Sequence, residues 1–168
     1  MKKNTILKTA ALLVALTIAL LTFASCGEKE VSYKTGVDLP SLTSALEETV
    51  SKSDNLTDAT DDFLEFFLEV DPSLCESYTL RIPAGAESID EYAIFEAKTD
   101  EDAASILEAL TKYLKGRGEA WDGRYNASEK PKLDNAGTFR YGSYVGYVIL
   151  STEEKPAFLA AFEKAIKN

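Results

Sequence analysis

Two segments of this 168-residue chain repeat the same order: two strand-like stretches followed by an amphipathic helix. The first holds "SYTLRIPA" (77–84) and "DEYAIFEAK" (90–98) before a helical pattern over 99–118; the second holds "TFRY" (138–141) and "SYVGYVILS" (143–151) before one over 151–168. Strands joined by short turns favour antiparallel pairing, and amphipathic helices need a sheet face to cover. The repeat therefore predicts an antiparallel sheet packed against helices.

Two more helices are predicted ahead of the first strand, at 38–52 and 57–70. The second helix is expected to bury its apolar residues, which are Phe63, Leu64, Phe66, Phe67, Leu68 and Val70. The resulting order is α-α-β-β-α-β-β-α. We expect an α+β two-layer sandwich with a mainly antiparallel four-stranded sheet.

The first 25 residues form a separate kind of segment. Three lysines precede an apolar run of 16 residues, Thr9–Ala24, and small residues then lead to Cys26. This pattern predicts an export signal, and the run is short for a membrane-spanning helix, which needs roughly 20 apolar residues. The "TFASC" junction resembles the lipobox of bacterial lipoproteins, with Phe23 where leucine is usual. That resemblance implies cleavage before Cys26 and lipid attachment to its sulfur; an ordinary cleavable signal and an uncleaved anchor are the alternatives.

This interpretation divides the chain into a signal peptide (1–25), a lipidated cysteine with a tether (26–37) and one α+β domain (38–168). The full chain has 18 basic and 28 acidic residues, and removal of the three signal lysines leaves 15 and 28, a net charge of −13. Such an acidic domain is a poor partner for nucleic acid, which is itself a polyanion. The only membrane contact that we predict is through the lipid on Cys26.

The composition excludes several kinds of catalytic site. The chain contains no histidine and only two cysteines, so Ser-His-Asp triads, Cys-His pairs and thiolate metal clusters are absent. No phosphate-binding glycine loop occurs, and Ser-Lys chemistry would need a buried lysine that no motif indicates. We predict no cofactor and no metal. Cys75 is expected to be a small buried hydrophobe, with a reactive thiol as the alternative.

Carboxylates remain as possible reactive groups. Asp58, Asp62, Glu65 and Glu69 would share one side of the predicted second helix. They could form a weak calcium site or an acid/base pair. The solvated face of an amphipathic helix is the alternative that we favour.

The long polar loop after the third helix is the candidate binding surface. It carries the only tryptophan together with other side chains that are common in binding sites. The candidate residues are Trp121, Arg124, Tyr125 and Asn126. In the alternative interpretation, Trp121 and Tyr125 close the core beneath the loop. Tyr141, Tyr144 and Tyr147 could form a stacking platform, although Tyr144 or Tyr147 is expected in the core.

Three segments resemble the DUF4358 family of uncharacterised bacterial lipoproteins: "VDLPSLTSALEE", the stretch from "FFLEVDPSLC" to "EAKTDEDA", and "YNASEKPKLDNAGTFRYGSYVGYVILS". The similarity extends over about residues 36–167. It implies an exported, anchored protein. Because the family is uncharacterised, it implies no catalytic or binding residues.

The functional hypothesis from the sequence is a lipid-anchored extracytoplasmic domain that binds an envelope protein or a small ligand, and not an enzyme. One alternative is an envelope hydrolase that uses a carboxylate pair, which needs no histidine. The other is an accessory subunit of an export or wall-assembly complex.

Overall fold

The computed structural model describes residues 31–122, 124 and 126–168. Residues 32–168 form one compact unit. Its helices α1 to α5 are Leu39–Glu47, Asp61–Phe66, Asp100–Glu119, Lys130–Asn135 and Glu154–Ile166. Its strands β1 to β5 are Leu56–Asp58, Cys75–Pro83, Glu91–Ala97, Gly137–Tyr141 and Tyr144–Ile149.

The strands form one antiparallel sheet in the order β1-β2-β3-β5-β4. The two predicted hairpins are confirmed, and β3 and β5 pair with each other between them. The expectation of four strands is wrong by one. The additional strand, β1, extends the sheet beside β2 in a segment that the sequence pattern assigned to the second helix.

Helices cover both faces of this sheet, so the prediction of two layers is wrong. Alternate residues of β3 enter different cores: Ala93 and Phe95 pack under α3, whereas Tyr92 and Ile94 pack under α1 and α5. All four side chains are fully buried. The domain therefore has a helix–sheet–helix arrangement with a core on each side.

Two helices begin beside a hydroxyl side chain that accepts a backbone hydrogen bond. The Thr99 side chain accepts a hydrogen bond from the Asp102 backbone N–H at 3.1 Å, which fixes the start of α3. The Ser151 side chain accepts one from Glu154 N–H at 3.1 Å, and Ser151 N–H donates back to the Glu154 carboxylate at 3.3 Å. These contacts satisfy backbone donors that have no partner within a helix.

The predicted second helix over 57–70 is wrong in extent. Its first residues belong to β1, and α2 ends at Phe66. Beyond α2 the chain passes through Glu69, whose φ is 54°, before it enters β2. The proposed row of carboxylates from Asp58 to Glu69 therefore does not lie on one helix. The polar loop after α3 also contains a short helix, α4, that the sequence did not indicate.

The N-terminal approach to the domain is held by buried polar groups. Gly36 N–H donates to the Glu96 carboxylate at 2.6 Å, and Val37 N–H donates to the Tyr144 hydroxyl at 3.3 Å. Tyr33 forms a β-bridge with Lys167. The part of the predicted tether from 32 to 37 thus lies against the domain.

Candidate functional site

A groove with two exposed phenylalanines runs between the end of α2 and the outer face of α3. We call it the aromatic groove; its volume is about 480 Å³, within the usual range for small-molecule sites. One wall is Phe66–Glu69. The other wall and the floor come from α3 and the residue after it: Ala109, Lys112, Tyr113, Lys115, Gly116, Arg117, Glu119 and Ala120.

The exposure of Phe66 and Phe67 corrects the expectation that both are buried. Their exposed fractions are 73% and 63%, whereas Leu64 and Leu68 are buried. Because α2 ends at Phe66, the chain turns before a further helical turn could direct both rings inward. Phe67 stacks on the half-buried Phe63 with ring centroids 4.9 Å apart. The apolar wall is therefore held in place by the core.

Small residues of α3 and its C-cap line the groove. They are Ala109, Gly116 and Ala120, whose spacing places them on one side of the helix. A Cβ atom built on Gly116 would meet nothing within 4 Å. Packing within the domain therefore does not require glycine here, although glycine in a helix costs about 1 kcal/mol relative to alanine.

A buried carboxylate lies beneath the groove. Glu91, at the start of β3, is 1% exposed and accepts hydrogen bonds from the Tyr113 and Tyr147 hydroxyls, both at 2.5 Å. Its second oxygen accepts from Arg117 Nη1 at 2.8 Å, and the same nitrogen lies 2.6 Å from the Tyr113 hydroxyl. We call these four residues the Glu91 cluster. Its bonds compensate the cost of burying the charge.

The protonation states of Tyr113, Tyr147 and Arg117 in the Glu91 cluster do not change near neutral pH. Burial, reinforced by the Glu91 carboxylate, raises the pKa values of Tyr113 and Tyr147 well above the usual range, so both remain protonated donors. Burial lowers the pKa of Arg117, but the Glu91 carboxylate more than offsets this and the net shift is upward. The cluster is suited to presenting a fixed cation and not to transferring protons near neutral pH.

The comparisons with known proteins give a family and no function. A family model described as "Domain of unknown function (DUF4358)" matches residues 48–150, which is more than half of the chain. The chain belongs to the DUF4358 family. Searches of curated proteins and of solved structures gave no match. Both walls of the aromatic groove lie within the matched region of this DUF4358 domain.

The structure describes three of the four residues of the predicted binding loop. Trp121 is half-buried and packs against the core under α3, as expected of a residue that closes the core. Arg124 is 91% exposed and pairs with Asp122 at 2.9 Å. Asn126 adopts a left-handed conformation (φ 49°) and donates to two backbone carbonyls at 3.5 Å. Tyr125 lies outside the described residues, as does Cys26.

The other predicted aromatic site is not formed. Tyr144 and Tyr147 are fully buried, as expected, and they enter opposite cores. Tyr141 packs on Phe139 and Phe162. These tyrosines therefore serve packing in this DUF4358 domain.

A second, polar cleft has a volume of about 460 Å³ and contains two carboxylates, Glu47 and Asp58. This is the pair that best matches the requirement of the hydrolase hypothesis. Arg81 joins the two: Nε donates to Glu47 at 2.7 Å, and Nη1 donates to Asp58 at 2.8 Å. Tyr92 also donates to Glu47 at 3.1 Å. Because both carboxylates are engaged by one guanidinium, the cleft lacks a free acid and base for glycoside hydrolysis.

A partly buried lysine that the sequence did not reveal lies beside a serine. Lys132 Nζ is 3.4 Å from Ser88 Oγ, but it is 2.7 Å from both the Asp90 and the Glu129 carboxylates. Burial lowers the pKa of Lys132, and the bonds to Asp90 and Glu129 more than offset this, so the net shift is upward. A lysine held in its charged form cannot activate the serine.

The described ranges contain neither a metal-binding cluster nor a membrane-spanning helix. No cluster of three or more acidic, cysteine or histidine side chains there could hold a metal ion. Nor does any helix in those ranges combine the length and apolar character needed to cross a membrane.

Proposed function

We propose that this chain is a lipid-anchored, extracytoplasmic binding protein whose DUF4358 domain binds its ligand in the aromatic groove. The observation that carries the proposal is the exposure of Phe66 and Phe67 on a preformed wall. Such adjacent exposed aromatic rings are costly on a soluble surface, and they are typical of binding sites. Among the predicted binding residues, Trp121 follows directly after Ala120, which lines the groove.

The anchor rests on the sequence alone. The lysines, the apolar run and the junction at Cys26 have the order of a lipoprotein signal. Two or more acyl chains give stable attachment, because each buried CH₂ contributes about 0.8 kcal/mol.

Metabolic labelling with an alkyne fatty acid tests the anchor. The full chain should incorporate the probe and fractionate with membranes, whereas Cys26→Ser should do neither. A Cys26→Ser protein that is still labelled would refute lipid attachment at this residue.

Binding of the dye 1-anilinonaphthalene-8-sulfonate tests the groove in the folded domain. We expect the double variant Phe66→Ser/Phe67→Ser to lose most of the dye fluorescence, because it removes the apolar wall. The variant Val31→Ser is the control, because Val31 is also an exposed apolar residue but lies outside the groove. Equal dye fluorescence in the double variant and the control would contradict binding in the groove.

A further inference from the structure

Arg117 has hydrogen-bonding capacity that its protein contacts do not use. A guanidinium carries five N–H donors, and here Nη1 serves both Glu91 and Tyr113. Within the described part of the chain, Nε and Nη2 have no acceptor. The side chain lines the aromatic groove and is 30% exposed. Arg117 is therefore anchored at one nitrogen and able to bind a ligand with the others.

The surroundings of Arg117 define which group it would bind. Two lysines of the same helix, Lys112 and Lys115, line the groove in a chain whose net charge is −10. Each pairs with a groove carboxylate, Lys112 with Glu69 and Lys115 with Glu119, but all four side chains are more than half exposed. Exposed pairs of this kind contribute little and exchange readily for a better anion.

The apolar and cationic parts of the groove come from different elements. Phe66 and Phe67 line it from the end of α2, and Arg117 and Tyr113 line it from α3 together with Gly116. A ligand that uses both parts must have an apolar body and one anionic end. A planar carboxylate matches the guanidinium fork, which can donate two parallel hydrogen bonds to it.

From this arrangement we propose that the aromatic groove binds a small amphiphilic carboxylate. Its apolar body lies between Phe66, Phe67 and Gly116, and its carboxylate accepts hydrogen bonds from Arg117. Glu91 acts as a positioning residue, because it holds the guanidinium at the groove. This inference rests on the proposed function and adds the chemical class of the ligand.

Binding of three compounds with equal chain length tests the preference for the head group. The compounds are decanoate, decanol and decylamine, and each titration is monitored by ligand-observed NMR. We expect decanoate to bind about tenfold or more tighter than decanol, since hydrogen bonds to charged groups are the stronger ones. Decylamine should bind weakest because Arg117 repels it. The ranking uses the unaltered domain and does not depend on any variant.

The variant Arg117→Lys tests whether the guanidinium of Arg117 binds the carboxylate. Lysine keeps a positive charge for Glu91 but lacks the second edge of the fork, so decanoate binding should weaken about tenfold while decanol binding is unchanged. The variant Lys164→Gln is the control for general positive charge, because Lys164 is exposed and lies outside the groove, and it should keep the preference for decanoate. Loss of the preference in this control alone would overturn the role of Arg117.

The remaining outcomes separate the two proposals. Equal binding of decanoate and decanol would overturn the carboxylate inference and leave the groove as a site for apolar ligands. Absence of binding by all three compounds would contradict both the inference and the proposed function.

Discussion

Glu91 shows how one buried residue links the core to the groove. It is almost fully buried, yet it accepts hydrogen bonds from two tyrosine hydroxyls and a guanidinium. Removing such a carboxylate leaves three donors without an acceptor, whereas removing one hydroxyl leaves the charge with two partners. The Glu91 cluster should therefore respond unequally to the loss of its members.

We expect Glu91→Ala to lower the free energy of unfolding by about 3 kcal/mol, because it breaks a buried ion pair. Tyr147→Phe should cost only about 1 kcal/mol, the net value of one hydrogen bond. Urea unfolding followed by circular dichroism measures both. Equal losses in the two variants would show that Glu91 is not the centre of the cluster.

We predict that Glu154 makes the stability of the domain depend on pH in the acid range. Its burial raises the pKa, but hydrogen bonds from Ser151 and Ser51 outweigh this and lower the pKa from 4.5 to about 2. As the pH falls, Glu154 is therefore protonated in the unfolded chain at a higher pH than in the folded domain. The stability contributed by Glu154 is present above about pH 4.5 and is lost as the pH approaches 2.

Glu154→Gln tests this dependence. The variant should be less stable than the unaltered domain at about pH 6, and the difference should shrink by about pH 3, where the carboxylate advantage is fading. Glu153→Gln is the control, because Glu153 is exposed and has no hydrogen bond or ion pair among the described contacts. A difference that stays constant across this range would contradict the account.

At the level of elements, the two interior strands determine the layer arrangement. Strands β3 and β5 are apolar on both faces, and this pattern is visible in "YAIFEA" and "YVGYVI". A strand buried on both faces needs cover on both, so the sequence already held the information for three layers. The two-layer prediction failed because it assigned all helices to one face.

The error in the second helix has a different cause. Phe66, Phe67 and Leu68 are consecutive, and three consecutive side chains cannot all face one core from a helix. The run therefore signalled either an early helix end or an exposed pair of rings, and the structure has both. The strand β1 could not be predicted, because its three residues gain stability only from pairing with β2.

Gly146 in β5 is required by the close approach of β3 and β4. A Cβ at this position would lie 2.1 Å from the Ala93 carbonyl oxygen and 2.5 Å from the Phe139 ring. Because the first contact is with backbone, Gly146→Ala should destabilise the domain by about 3 kcal/mol. Gly118→Ala is the opposite case, since a Cβ there meets nothing within 4 Å.

Thermal unfolding of the two glycine variants checks this contrast. Gly118→Ala should raise the free energy of unfolding by about 0.5–1 kcal/mol through helix propensity. Gly146→Ala should lower the melting temperature clearly. An unchanged melting temperature for Gly146→Ala would mean that β3 and β5 are farther apart than described.

At the scale of the whole molecule, the sequence predicted the helices and strands better than it predicted the candidate site. The hairpins and the two longest helices, α3 and α5, depend on neighbours in the chain, and those predictions are confirmed. The Glu91 cluster joins β3, α3 and β5, and no local pattern indicates that Glu91, Arg117 and Tyr147 meet. The groove likewise depends on where α2 ends against α3, which is a result of tertiary packing.

The central proposal for the whole molecule is that the domain binds an amphiphilic ligand in the aromatic groove. Two glycines of α3 allow a matched test, because a Cβ atom at either position would meet nothing within 4 Å. Gly116 lines the groove, whereas Gly118 does not. Leucine is also a better helix former than glycine, so both variants should fold.

The most direct measurement is the affinity for decanoate of Gly116→Leu beside Gly118→Leu. We expect Gly116→Leu to fill the groove and abolish binding, and Gly118→Leu to bind decanoate as the unaltered domain does. Binding of decanoate to both variants with equal affinity would contradict the claim that the groove is the binding site.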